Sequence, residues 1–517
     1  MKQKPFINSH HRACAYVLLF ALAWAWASWW MGDLFRVAYE NSYLAADATL
    51  MHFLWQQPFG SLWIAGRTLL LLYRWPLLGG LAVALLLTAA TWLVGYCLRL
   101  RPRWRWLSLL PAGVWMAWVA WMGLNLYYES EPGRPLGVLL LGVLICAIDA
   151  FIIWTFKSRS AHHQHHDAAP ATVGTWVATM AMLAVCFGAP VAITHIRHPY
   201  ARPLTHMQVQ MINEDWAGMT QTARDNASLS YRPLAAYYAI ALIHTGRLAD
   251  DLFDIRLDFD SLHVMNYSGE PDVGSNYYII DCNYAAGLFR PAEHKAIERM
   301  TMEGPSLSTL KHLTRLALLD HNWALARKYL SILGRTPFED AFVERYSPML
   351  DSPDLVAADP EFALLRQTEP VMDNFESYFE QPVFLGYNCV LMAGRSATAL
   401  QHSLLANLYS KRMPAFLERC QALVGSTPQK TIAEGLVTQV KKNPDIIQAF
   451  PQLQMTAQMY TGFLRNVATE MKDRPRYARE LFDSYKGYYP YYYFFGNLKA
   501  TRKSDKKEHA SSNAGVN

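Results

Sequence analysis

The sequence predicts an all-α protein in two parts: an N-terminal bundle of about five transmembrane helices, then a tetratricopeptide-like domain of helical hairpins. Three observations predict it. Residues 13–195 are dominated by Leu, Ala, Val and Trp and carry few charges. Residues 196–500 have ordinary soluble composition, with apolar residues recurring at three and four positions as one helix face requires. Turn residues punctuate that second half at intervals near 34 residues. The implied domains are 1–198 (transmembrane), 199–498 (helical repeats) and a polar, disordered tail at 499–517.

Five stretches approach the roughly 20 apolar residues that a bilayer crossing needs. They are 13–31, 76–98, 106–126, 135–156 and 173–195. Lys and Arg in short loops mark the cytoplasmic side. Lys2, Lys4 and Arg12 precede the first stretch; Arg99, Arg101, Arg103 and Arg105 follow the second; Lys157 and Arg159 follow the fourth. The loops between are neutral or acidic, so an odd number of crossings starting inside puts the second half outside the cytoplasm. Segment 58–74 contains Arg67 and Arg74 and is ended by Pro76. It reads as an interfacial or re-entrant helix, and a sixth crossing there would reverse the side of everything after it. Ala25-Trp26-Ala27 resembles a signal-peptide cleavage site, but apolar sequence continues through Trp29, Trp30 and Met31, which favours an uncleaved anchor.

Composition narrows the function classes. The net charge of +5 comes from Arg beside hydrophobic spans, a pattern of membrane orientation and not of nucleic-acid binding. Cys14, Cys97, Cys146 and Cys186 lie in apolar stretches, and Cys282, Cys389 and Cys420 are far apart, so no disulfide framework or metal spacing emerges. No nucleophile elbow, phosphate loop or zinc motif is present, and neither a cofactor nor a metal is expected.

In the second half, a turn residue precedes a large apolar anchor at Trp216, Leu248, Phe289 and Trp323, spaced by 32, 41 and 34 residues. Ala292 and Ala326 stand three after their anchors, as in tetratricopeptide-type repeats, whereas Met219 and Asp251 break the small-residue position. A looser copy begins at Met413. Each hairpin would leave an apolar face bare that the next one covers. Residues 255–275 and 346–370 read as loops that interrupt the repeats.

Several short motifs carry a family resemblance: Tyr39-Glu40, the run Trp75-Pro76-Leu77-Leu78-Gly79-Gly80, residues 246–253, residues 326–330 and the Tyr-rich 488–495. With these, the chain resembles a family of bacterial multipass membrane proteins known only as a domain of unknown function. The resemblance implies an envelope location and brings no activity with it.

Among single side chains, Asp33, Glu40 and Asp47 are spaced by seven, so a continuing helix would carry them on nearly one face. Arg67 and Arg74 share that spacing. Glu40 and Asp47 are the catalytic candidates if this first outer loop does chemistry, since some membrane glycosyltransferases use an acid there. Otherwise the acids pair with Arg67 and Arg74. Asp149 lies inside the fourth stretch, where a carboxylate is costly and usually faces the bundle. Asp254, Asp258 and Asp260 lack the spacing of a calcium loop, and the cluster His162, His163, His165 and His166 lacks a metal scaffold. The Tyr-rich run 488–495 would seal the end of the helical stack. The expected role is a membrane-anchored interaction scaffold of the bacterial inner membrane, with the lipid bilayer and a protein bound on the repeat surface as partners. The alternative is a membrane-embedded transferase.

Overall fold

The computed structural model describes residues 6–100, 102–128, 131–159, 173–229, 231–257, 275–369, 396–468 and 474–496. These residues are helical, with no strand among them. They form two compact units. One combines residues 1–205 with two later segments, Gly304–Lys311 and Arg327–Ser347; the other takes the remainder. The His162–His166 cluster, Asp258, Asp260, Cys389 and the 499–517 tail lie outside the described residues.

The first unit begins with α1 (Phe6–Ala25), a π-helical turn Trp26–Trp30 and α2 (Gly32–Glu40). Then come α3 (Ala48–Gln56), α4 (Gly60–Leu71) with a 3₁₀ turn to Arg74, and α5 (Pro76–Cys97). A 3₁₀ run (Pro102–Leu109) leads into α6 (Leu110–Met122), followed by α7 (Asn125–Tyr128), α8 (Arg134–Arg159) and α9 (Val173–Arg197). Four helical stretches among the described residues are long and apolar enough to cross a membrane: Ala13–Trp30, Pro76–Cys97, Arg134–Phe156 and Val173–Arg197. Of the span in α8 only 17% is buried, so most of its Leu and Ile side chains face outward, Leu136 and Leu139 excepted. The expected third stretch is broken by the 3₁₀ run, which leaves α6 with 13 residues.

Two close approaches hold this unit together. Phe35 of α2 stacks on Tyr73 at 4.6 Å, and a Cβ on Gly79 would meet that Tyr73 ring at 2.5 Å. In the second, α4 crosses the start of α8 backbone to backbone. A Cβ on Gly66 would lie 2.1 Å from the Gly133 carbonyl oxygen, and one on Gly137 would lie 2.5 Å from that of Leu62. Gly133 and Gly137 are the small-xxx-small spacing that lets apolar helices touch closely. Segment 58–74 is thus a 12-residue helix and a three-residue turn, seated in a groove of α8.

The second half is a series of hairpins: α10 (Ala201–Ile212) and α11 (Trp216–Asp225), α12 (Arg232–His244) and α13 (Leu248–Asp251), α14 (Ser275–Ala285) and α15 (Phe289–Glu303), α16 (Leu307–Leu319) and α17 (Trp323–Leu333). Each anchor is the first residue of its second helix, and all four turns are alike. The residue two before the anchor has positive φ: Glu214 (57°), Gly246 (66°), Gly287 (74°) and His321 (55°). The next residue donates its N–H to the carbonyl five back, from Asp215 to Gln210, Arg247 to Leu242, Leu288 to Asn283 and Asn322 to Ala317, at 2.8–2.9 Å. This is the Schellman closure, which satisfies carbonyls the helix end would leave bare. The position three after each anchor is buried whatever its size: Met219, Ala292 and Ala326 at 0% and Asp251 at 6% exposure.

Residues 346–370 are a correction, because they are mostly helical. After α18 (Asp340–Tyr346) come α19 (Pro353–Ala358) and α20 (Pro360–Thr368), the last capped by Asp359 through the N–H groups of Glu361 and Phe362. Pro353 and Pro360 each occupy the first helical position, where the missing N–H costs nothing and the fixed φ suits the helix. A fifth hairpin joins α21 (Ala397–Ser410) to α22 (Met413–Cys420), with Lys411 at φ 56° and the same closure from Arg412 to Asn407. The chain continues through α23 (Lys430–Val437), α24 (Asp445–Ala449), α25 (Gln454–Ala468), α26 (Arg474–Tyr485) and α27 (Tyr489–Phe495).

The α4–α8 crossing is open to test. Gly66→Leu or Gly137→Leu should separate the helices and lower the yield of folded, monodisperse protein severalfold in detergent gel filtration. Gly142→Leu, where a Cβ meets nothing within 4 Å, should change nothing. Full recovery of the Gly66 variant would show that this approach is not what seats α4.

Candidate functional site

The segment that follows the first apolar helix contains a buried charge network, and it is not the pairing that the sevenfold spacing suggests. Helix α2 ends at Glu40, so the register of Asp33, Glu40 and Asp47 is broken before Asp47. Glu40 is 4% exposed. Its Oε1 accepts from Arg36 Nη1 at 2.6 Å, and its Oε2 accepts from Lys311 Nζ at 2.8 Å. Arg74 stands at 4.0 Å, an outer cation and not the main partner. Lys311 also reaches Glu339 at 2.8 Å, and the Tyr39 hydroxyl donates to the other Glu339 oxygen at 2.9 Å. All these residues belong to the first unit.

Burial by itself would raise the Glu40 carboxyl. The Lys311 ammonium and then the Arg36 guanidinium outweigh that and hold it well below the usual carboxylate range. Burial, then the Glu339 charge, pushes the Tyr39 phenol far up, so it remains a donor. A general base works best near the operating pH with a free lone pair. Glu40 has neither, and the arrangement suits a clamp better than a proton acceptor.

The other candidates separate. Asp47 caps α3 through the N–H groups of Thr49 and Leu50 and pairs with Arg335 at 3.1 Å. Arg67 pairs with neither acid: its guanidinium forms a fork on Glu131 at 2.6 and 2.8 Å and donates to the Tyr43 carbonyl at 2.7 Å. Asp149 lies on an exposed face of α8, not toward the bundle.

A second network, in the other unit, escaped sequence reasoning. Asp281 accepts from the Tyr237 hydroxyl at 2.6 Å and is 2.7 Å from His312 Nε2, while Gln208 Nε2 donates to Tyr237 at 3.0 Å. Asp281 and His312 are each 8% exposed, and His312 Nδ1 is buried with no hydrogen-bond partner. The signal was present: Asp281 is the lone acid among Tyr and Ile in α14, and a buried acid must find donors. A third cluster ties the C-terminal aromatic helix down. The Tyr489 N–H donates to Glu434 at 2.8 Å, the Tyr489 hydroxyl to the Leu408 carbonyl at 3.1 Å, and the Tyr492 hydroxyl to the Tyr409 carbonyl at 2.7 Å. Burial pushes the Glu434 carboxyl up to about 7. Asp254 instead pairs with Arg224 at 3.0 Å, beside the Arg224–Asp251 pair at 2.6 Å. Among the described residues no group of side chains could hold a metal ion.

The profile of a family of unknown function, DUF6057, matches residues 134–496, well over half of the chain. The chain belongs to that family. No curated protein and no solved structure matches it. The DUF6057 region contains Lys311 and Glu339, the Asp281 network and Glu434, but begins after Arg36 and Glu40. One half of the Glu40 clamp therefore lies within the part that defines DUF6057, and the other half precedes it.

Two measurements test these assignments. Glu40→Gln leaves Arg36 buried without its counter-charge and Lys311 with Glu339 alone, a loss of about 3 kcal/mol. It should lower the melting temperature in detergent clearly, whereas Asp47→Asn, half-buried and still able to cap, should leave it nearly unchanged. Equal, small shifts would remove the clamp. For Glu434, a raised folded-state value means the folded protein holds a proton that the unfolded chain has released. Its contribution is complete below pH 4.5 and is lost as pH rises through about 7. The shift corresponds to about 3 kcal/mol. The melting temperature should fall from pH 5 to pH 8, and Glu434→Gln should flatten that fall; an unchanged slope would assign the dependence elsewhere.

Proposed function

We propose that the chain is a membrane-anchored interaction scaffold of the bacterial cell envelope. Its helices cross the inner membrane, and a tetratricopeptide-like stack outside the cytoplasm offers a surface to a protein partner. The observation that carries this reading is the recurrence of one turn in five hairpins, the first four spaced by 32, 41 and 34 residues against a repeat of about 34 in such proteins. Stacked hairpins present extended surfaces suited to binding. In this reading the crossings number five. The fifth is residues 106–109 of the 3₁₀ run together with α6, which extend over about 28 Å at the usual rises, close to a core of about 30 Å. Arg99, Arg101, Arg103 and Arg105 then lie inside. Arg197, the last residue of α9, and Arg202, in the first turn of α10, have their guanidinium groups over the rings of Trp121 and Trp30 at 3.6 and 3.8 Å, an aromatic setting typical of a membrane interface.

The transferase alternative has less support. It requires Glu40 or Asp47 to be free for chemistry, and one is clamped by two cations while the other caps a helix. Exposed apolar side chains at Met302, Met455 and Met459 (62–78% exposed) are candidate contacts for a partner on the repeat surface.

A reporter active only outside the cytoplasm, fused after Gly496, should be active; activity only from the cytoplasmic side would overturn the odd number of crossings. A photo-crosslinking residue at Met302, Met455 or Met459 in living cells should give a discrete adduct with one identified protein. Adducts at none of the three would count against the scaffold surface.

A further inference from the structure

From Ala48 to Gly66 the chain contains no Asp, Glu, Lys or Arg, and it is bracketed by two ion-paired charges, Asp47 with Arg335 and Arg67 with Glu131. The excursion returns close to where it left, because Arg67 also donates to the carbonyl of Tyr43, just before Asp47, at 2.7 Å. The chain between the two pairs goes out along α3, turns at Gln57–Phe59 and returns along α4, packed against α3. Three large aromatics on this excursion face away from the protein: Phe53 (57% exposed), Trp55 (67%) and Phe59 (74%).

The contacts with α8 show which way the excursion points. Gly66 lies against Gly133, at the start of α8, and Leu62 lies against Gly137, one turn further along. The two helices are therefore antiparallel, and moving back from Gly66 toward Phe59 follows α8 into its apolar length. Seven residues at 1.5 Å each put the turn about 10 Å below the level of Gly133. There the neighbouring outward surface of α8 is apolar, with Leu141, Leu144 and Ile145 43–54% exposed.

We propose that residues 48–66 form a re-entrant hairpin whose aromatic tip, Trp55 to Phe59, is immersed in the acyl chains of the leaflet at the N-terminal end of α8. This rests on the membrane-anchored reading above and adds an element that enters the bilayer without crossing it. Irregular backbone in hydrocarbon is costly because unpaired N–H groups find no water. The turn avoids most of that cost: Pro58 has no N–H, and the N–H groups of Gln57 and Gly60 bond to the carbonyls of Leu54 and Gln57 at 3.2 and 2.9 Å. His52 and Gln56 bond to each other at 3.4 Å. At 9 and 12 residues, α3 and α4 are each too short to cross.

The test uses the full chain in native membranes, with p-benzoylphenylalanine at Phe59 and, separately, at Ile145 in α8 and at Val424, an exposed residue of the second unit. After irradiation and purification, mass spectrometry should find phospholipid adducts at positions 59 and 145 in comparable yield, and none at 424. Lipid at 145 with none at 59 would overturn the hairpin and leave the membrane reading intact. A protein adduct at 59 would also overturn it, since a partner would then cover the tip. Lipid at neither position would end both readings. Moving the probe to Trp55 repeats the experiment if the Phe59 variant does not accumulate.

Discussion

A carboxylate removed from water must be neutralised within a few ångströms, and Glu40 meets that demand with a residue 271 positions away. Arg36, one turn earlier on the same helix, supplies one cation; Lys311 supplies the other and is itself shared with Glu339. Removing two charges from water costs more than their attraction returns unless the remaining hydrogen-bonding capacity is filled. Tyr39 fills part of it by donating to Glu339. Three separate stretches of chain, around residues 36–40, 311 and 339, are thus tied by one requirement. This is why the first compact unit is discontinuous in sequence and takes in Gly304–Lys311 and Arg327–Ser347. A cut at residue 198 would divide the network.

The same requirement separates positioning from chemistry. Both Glu40 oxygens are occupied by cations, and the pairing favours the ionised form strongly. The Asp281, Tyr237 and His312 network has the residue types of a catalytic relay, yet it is enclosed among α12, α14 and α16 and makes side-chain bonds that align those helices. In both places, polar groups associated with enzymes join helices whose apolar faces alone would permit several registers. Where the chain is wholly apolar, glycine takes that part: Gly66, Gly133 and Gly137 allow two backbones to touch, which fixes α4 against α8 without any charge.

Much of the helical architecture was legible because its signals are local. Apolar runs of about 20 residues, period-three-to-four patterns and turn residues before large anchors act within a few positions of one another. Trp216, Leu248, Phe289, Trp323 and Met413 accordingly all start helices. The exceptions have local causes too. The Pro and Asp of residues 346–369 look like loop composition although Pro353 and Pro360 each open a helix, and the 3₁₀ run at 102–109 shortens a stretch that composition alone makes continuous.

By itself, then, the sequence determined where the long apolar helices and the hairpin turns fall, which helices are apolar enough for a membrane, and that Glu40 and Asp47 differ from their surroundings. Only the tertiary structure decided their partners. Lys311 and Glu339 carry no local mark of belonging with Glu40, and Arg67 found Glu131 in place of either acid. Asp281 stood in plain view on an apolar helix, but its Tyr and His come from two other helices. The reason is physical: helix periodicity and turn closure arise from neighbours along the chain, whereas charge neutralisation and donor–acceptor matching depend on proximity in space, which sequence separation does not encode.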